Sequence, residues 1–335
     1  MFMGNQIIDS SQVDGAILVV LPKFIGDAIN TLPALELLKK LYPTQRVYVL
    51  GRPFMAHLFT RAAHYGTEFI NDKRYCNEQK HSLFKMAKEL KQLDISIAVL
   101  LRGSLREALL LKLAGVKNVI GYAQNARSPL LSHALKLNQS EHYIYRYCQL
   151  INIPHGRPFK QFSAPKLIPK KTTCALSKKR NVALYLGGSV KGDRHYPHDL
   201  SLELINNLVM RDDIHLYLLG DKAEREEMET LRFKAGENGE KVTNLAGSMS
   251  LDILVDTIGA MDAMISIDSG PMHIASACGT PCVAVIGQGT SPWSNVAPKQ
   301  SNLIALHHNS MSLSKPHMIR DITPKAITDV LATVF

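Results

Sequence analysis

The sequence predicts an α/β protein made of two Rossmann-like domains in tandem. Three observations predict it: a length of 335 residues, an alternation of short apolar runs with stretches of helical period, and one lapse of that alternation near the middle. A single hydrophobic core stops growing at about 250–300 residues, so a chain of this length is expected to divide into two. Strands buried on both faces of a parallel sheet read as continuous apolar runs, and the helices between them carry the chain back to begin the next strand.

In the first half, the run AILVVL at 16–21 reads as a buried strand. Residues 28–42 follow, with Ile29, Leu32, Leu35, Leu38 and Leu41 near the helical period. Further strands are expected at 46–50, 95–101 and 118–121, and helices at 79–93 and 104–114. The stretch SAPKLIPKKTTCALSKKR then breaks the pattern with prolines, small polar residues and lysines, as a linker would. Alternation resumes with strands at 181–186, 214–219, 263–267 and 281–286 and helices at 200–210, 223–235, 251–259 and 271–278. The expected domains are therefore 1–167 and 181–335, joined by a linker at 168–180, with a ligand cleft between them.

Hydrophobic residues form 46% of the chain and charged residues 20%, which fits a globular protein and excludes a disordered one. No apolar run approaches the roughly 18 residues of a membrane span, and MFMGNQIIDSSQVDG lacks the layout of a signal peptide, so a cytoplasmic location is expected. Cys76, Cys148, Cys174, Cys278 and Cys282 include no C-x-x-C pair, so neither a disulfide framework nor a zinc site is expected. The net charge of +10 is uneven: residues 1–167 hold 22 Lys and Arg against 11 Asp and Glu, and the remainder 17 against 18. Such an excess points to an anionic partner of the first half: nucleic acid, a phosphorylated membrane surface or an acidic substrate.

The most informative stretch is IDSGPMHIASACGTPCVAVIGQGTSPW. Asp268 and Ser269 leave a strand, Gly270 permits a tight turn, and Pro271 suits the first turn of a helix that continues through Met272 and His273. Free amides at that helix start attract anions such as a diphosphate; the plainer reading is a capping motif alone. The next strand ends in a second glycine loop, Gly287-Gln288-Gly289-Thr290. Upstream, LYLGGSVKGDRHYP sets the turn of Gly188 and Ser189 before Lys191, Arg194 and His195. Cations beside such a turn can neutralise a leaving diphosphate, although most surface cations are merely solvated. In LLGDKAEREE, Glu224 or Glu226 can accept bonds from ribose hydroxyls or be a plain helix-surface residue. In LPKFIGDAINTLPAL, Asp27 is either a helix N-cap or a general base for an acceptor hydroxyl.

Taken together, these stretches resemble glycosyltransferase family 9, the heptosyltransferases of lipopolysaccharide core assembly, and the resemblance covers most of the chain. GDAINTLPALELLKKLYP is similar to that family's opening signature, LLRGSLREALLLKLAGVKNVIGY to its middle, and DSGPMHIASACGTPCVAVIG to its most specific stretch. The resemblance implies the GT-B architecture, with an N-terminal acceptor domain and a C-terminal domain for a nucleotide sugar, usually ADP-heptose. It implies inverting transfer without a metal or other cofactor, and no D-x-D triplet is present in the sequence. It carries the base to Asp27, the acidic and histidine positions of the donor motif to Asp268 and His273, and the nucleoside contact to Glu224 or Glu226. The chain departs from the family at Arg194-His195-Tyr196-Pro197, where many members have a lysine before H-W-P. Arginine keeps the charge and can grip two phosphate oxygens.

An anionic glycolipid acceptor, the lipopolysaccharide core, suits the basic first half, and peripheral contact with the inner face of the inner membrane is expected with it. Some of Arg102, Arg106, Arg127 and Arg146 are expected to line its groove; the plainer alternative is a solvated basic face that attracts membrane without touching substrate. A sugar-nucleotide epimerase on the same scaffold would not need the basic half. A dehydrogenase lacks its G-x-G-x-x-G after the first strand. A non-catalytic nucleic-acid binder would leave the donor motifs idle, and no helix-turn-helix, stacking or zinc pattern supports one.

Overall fold

A computed structural model describes residues 7–76, 80–188, 191, 194–287, 291–308 and 319–335. Two compact units emerge, Met1–Lys166 and Leu167–Phe335. The first runs β1 (Ala16–Val20), α1 (Ile25–Asn30), α2 (Leu32–Leu41), β2 (Val47–Gly51), α3 (Ala56–Phe59), β3 (Thr67–Asn71), α4 (Leu83–Lys91), β4 (Ile95–Leu100), α5 (Leu105–Leu113), β5 (Asn118–Tyr122), β6 (His133–Leu135) and α6 (Tyr143–Asn152). Its strands form one parallel sheet in the order β3-β2-β1-β4-β5-β6, with Ile17 opposite both Val47 and Ile97. Strand order reverses between β1 and β4, and loops leaving strands at such a point diverge and open a crevice.

Every residue of β1 and β2 is buried, as their unbroken apolar sequences require. Met86, Ala87 and Leu90 of α4 share one core with Ala108, Leu110 and Leu111 of α5 and with Leu18, Val20, Ala98 and Leu100 of the sheet, so both helices cover the same face. The helix expected at 28–42 is two helices. Pro33 has no N–H to continue the ladder, and Thr31, whose hydroxyl donates to Ala28 O at 2.6 Å, marks the break. The helix expected from residue 79 starts at Leu83, where Ser82 accepts the Lys85 amide at 3.2 Å.

The second unit runs β7 (Arg180–Tyr185), α7 (His198–Val209), β8 (Ile214–Leu218), α8 (Arg225–Lys234), β9 (Val242–Asn244), α9 (Leu251–Gly259), β10 (Ala263–Ile267), α10 (Gly270–Cys278), β11 (Cys282–Ile286), α11 (Trp293–Val296), β12 (Leu303–His307) and α12 (Pro324–Ala332). Its parallel sheet has the order β12-β11-β10-β7-β8-β9, the same plan as the first, with the reversal between β7 and β10. The segment before β7 carries no helix or strand and is fastened to this unit: Leu167 N donates to Ala277 O at 2.9 Å and Lys170 N to Asp256 Oδ1 at 2.7 Å. Among the described residues, no helix is long and apolar enough to cross a membrane.

Candidate active site

In the second unit, the loops after β7 and β10 leave the sheet side by side at the reversal point. Ser269 is the N-cap of α10, yet its hydroxyl makes no capping bond; it turns back to Ile267 O at 3.1 Å and to Ser266 Oγ at 3.2 Å. The DSGP turn therefore lacks a side-chain cap, so Ser269 Oγ satisfies none of the first-turn amides of α10. Asp268 sits half-buried just before them. Burial raises its carboxyl above the usual range, and the nearby Arg194 guanidinium pulls it the other way. Met272 and His273 are buried in the first turns of α10.

The glycine turn after β7 is shaped by close approach. Gly187 has φ +67°, and a Cβ there would lie 2.8 Å from Ile267 Cδ1. A Cβ on Gly188 would lie 2.7 Å from Glu227 Oε2 and 2.9 Å from Glu224 Cγ. Glu224 departs from its expected use. It is buried, Oε1 accepts the Gly188 amide at 3.0 Å, and Oε2 accepts the Asp221 amide at 2.8 Å in a capping box. Both oxygens thus fasten the loops, because a buried carboxylate must be satisfied from within, and the side chain presents no exposed surface to a ribose. Glu226 is exposed in the first turn of α8.

Lys191 reaches Asp221 Oδ2 at 3.0 Å and Glu224 Oε1 at 3.4 Å. Burial works against its ammonium, but Asp221, Tyr185 and Glu224 outweigh burial and carry its pKa above the ordinary lysine value. Arg194 is exposed. Tyr196 is buried and donates its hydroxyl to Ile322 O at 2.6 Å, so it anchors the unit from inside. Ser189 and Gln288-Gly289-Thr290 lie outside the described residues.

In the first unit, Asp27 follows β1 at the reversal point. The N-cap of α1 is Phe24, so Asp27 is not a cap; it stands half-buried in the first turn, where the helix dipole favours a carboxylate. Its charge acts on the buried Tyr147, whose pKa burial, first of all, drives far up. Arg102 leaves β4 and donates to Tyr75 Oη at 2.8 Å, with Glu107 Oε1 at 3.1 Å from its other terminal nitrogen. Arg52, leaving β2, and Arg102 lie 5.0 and 5.5 Å from the Tyr75 ring centre. Beneath them Arg74 is buried between Asp72 at 2.6 Å and Glu107 at 3.2 Å.

The four expected groove arginines divide. Arg102 is in this cluster and Arg106 is exposed at the start of α5. Arg127 is instead buried, donating Nε to Tyr122 O at 2.8 Å and Nη1 to Arg102 O, and burial pushes its pKa down to about 10. Its guanidinium compensates for desolvation by satisfying loop carbonyls, so it holds the loop rather than a ligand. Arg146 folds onto its own helix start, donating to Glu141 O at 2.8 Å and to Gln139 O and stacking 4.5 Å from the Tyr143 ring centre. Arg52 and Tyr75 did not stand out in the sequence. Their signal is position, in the segments that follow β2 and β3, and β3 is too exposed to read as a strand. Among the described residues, no group of three or more His, Cys, Asp or Glu is placed to hold a metal ion.

The model of glycosyltransferase family 9 (heptosyltransferase) matches residues 83–318. The chain belongs to glycosyltransferase family 9. A lipooligosaccharide heptosyltransferase 2 of Campylobacter jejuni is 25% identical over 93% of this chain and 99% of its own. The lipopolysaccharide heptosyltransferase 2 of Escherichia coli is 24% identical over 94% of this chain and 97% of its own. Among solved structures, E. coli ADP-heptose lipopolysaccharide heptosyltransferase II superposes with a TM-score of 0.82 at 22% identity, covering 95% of this chain and 98% of that one. E. coli heptosyltransferase WaaC with ADP gives 0.73 at 16% identity, covering 96% and 100%. This family 9 chain therefore has the GT-B architecture of two Rossmann-like units and is a glycosyltransferase.

Proposed function

We propose that this enzyme transfers heptose from ADP-heptose to the inner core of lipopolysaccharide, with inversion and without a metal. The observation that carries the reading is the uncapped start of α10 with Asp268 and Arg194 beside it. This unit is the donor domain and the first unit the acceptor domain. The diphosphate lies against the α10 amides, and Arg194 absorbs the charge that develops on the departing ADP, with Lys191 and the Gly188 turn behind it. Asp268, Ser269, Gly270, Pro271, Met272 and His273 shape that pocket, and Glu226 rather than Glu224 is the carboxylate left for the nucleoside. Asp27 takes the proton of the acceptor hydroxyl as its oxygen attacks the anomeric carbon and the bond to the diphosphate breaks. Arg102 and Arg106 receive the acidic groups of the acceptor, and the enzyme works from the cytoplasm in peripheral contact with the inner membrane.

Supporting the donor and acceptor are the relatives named above, whose names give ADP-heptose, lipopolysaccharide and lipooligosaccharide. The test is incubation with ADP-heptose and a delipidated inner-core acceptor, with and without EDTA, following ADP release and the anomeric configuration of the product by NMR. Transfer with inversion that EDTA leaves unchanged is expected. Retention, EDTA sensitivity, or consumption of ADP-heptose with no acceptor product each overturns the corresponding part.

A further inference from the structure

A surface helix ordinarily turns its polar side chains outward. α5 does not. Its inner residues Ala108, Leu110 and Leu111 are in the core, yet Leu105, Leu109 and Leu113 stand 45, 41 and 39% exposed. Spaced four apart, they form a single stripe about 12 Å long on the outer face. α4, packed beside α5 on the same side of the sheet, adds Phe84 at 71% exposed.

Around these apolar side chains the exposed charges are mostly cations: Lys85, Lys88 and Lys91 on α4, Arg106 and Lys112 on α5, and Lys117 just beyond it, against one exposed carboxylate, Asp94, just beyond α4. Both carboxylates of the two helices are engaged, Glu89 with Lys73 at 3.2 Å and the buried Glu107 with Arg74 and Arg102. We propose that the α4–α5 face is a docking surface for an anionic lipid bilayer, with the leucine stripe and Phe84 entering the headgroup boundary and the lysines meeting lipid phosphates. An apolar stripe flanked by Lys and Arg is the composition of interfacial helices, whose binding sums buried apolar area and attraction to anionic lipid. A second copy of the chain would set cations against cations, and a nucleic acid would leave the leucines without a use. The inference deepens the reading that the acceptor is lipid-borne and rests on it for its purpose.

The test is flotation of the full chain with vesicles of phosphatidylcholine alone or mixed with phosphatidylglycerol. The parent is expected to float only with the mixed vesicles. Leu105→Ser/Leu109→Ser/Leu113→Ser should lower that affinity by about tenfold or more, and Lys85→Ala, Lys88→Ala and Lys112→Ala by roughly fivefold each. Because the chain has one tryptophan, Trp293, Leu109→Trp in a Trp293→Phe background reports burial directly as a blue shift on mixed vesicles. Parent protein that stays in solution, leucine or lysine variants that float like the parent, no blue shift, or a dimer abolished by the leucine change while flotation persists each overturn the docking surface. Transfer to the delipidated acceptor is measured alongside. Its loss with flotation intact refutes the proposed reaction and spares the surface, and the reverse outcome does the opposite.

Discussion

The Glu107 carboxylate, fully buried in the first turn of α5, holds the guanidinium of Arg102 at 3.1 Å and that of Arg74 at 3.2 Å through a single oxygen. The pairing fixes a partly exposed arginine to a buried acid, so the rim cation is held in one place before any ligand arrives. Glu107→Ala leaves the buried Arg74 guanidinium and the partly exposed Arg102 less compensated and is expected to cost on the order of 3 kcal/mol of stability, read by denaturant unfolding. Glu107→Gln, which keeps the shape, should cost less. Arg102→Ala should raise the acceptor KM by roughly ten- to a hundredfold, the worth of a charged hydrogen bond, and leave ADP binding alone.

Asp27→Asn should retain the fold, because the cap of α1 lies elsewhere, at Phe24. Turnover should fall by about two to four orders of magnitude, with ADP-heptose affinity in calorimetry unchanged. A folded variant with near-parental turnover would remove Asp27 from the chemistry.

Arg194 and Lys191 should respond differently. Arg194→Ala is expected to weaken ADP binding by about 1.5–3 kcal/mol in calorimetry. Lys191 is already bound to Asp221 and Glu224, so Lys191→Ala should weaken ADP less and lower stability instead, because it leaves those acids without their cation. Equal losses of ADP affinity would mean that Lys191 abandons the two acids when ligand binds.

Burial raises the Asp268 carboxyl in the folded protein. A raised acid contributes stability below its unfolded pKa and loses it as pH rises through the folded value. Asp268→Asn is therefore expected to make the ligand-free enzyme more stable at neutral pH, with the gain vanishing in acid below the ordinary aspartate range, while ADP-heptose binding weakens. Thermal melts across pH, with and without ADP-heptose, check both halves.

The central strands were legible because they are buried on both faces and leave a largely apolar run, unbroken in β1 and β11 and interrupted only by Ser266 in β10. Edge strands carry no such signal: β3 and β12 mix half-buried and exposed residues with none buried, and β6 and β9 are three residues long. The donor motif was visible because α10 starts with Gly and Pro, whose backbone demands are local. What Glu224 and Arg127 do was not, since each answers partners far along the chain, Gly188 for one and Arg102 for the other. A charged residue's letter is the same whether it is solvated, catalytic or an internal fastener.

The two sheets of identical strand order share no strand, and every ladder closes within its own half of the chain. Cooperativity in unfolding follows backbone pairing and core packing, so each half is expected to melt as its own unit, and a single shared transition would overturn that expectation. A ligand that binds one half raises only that half's transition, by RT ln(1 + [L]/Kd). Calorimetric scans should resolve two transitions, and ADP should move one while the other stays still. A lesion in one half, such as Glu107→Ala, is then expected to lower that half's transition and leave the other in place.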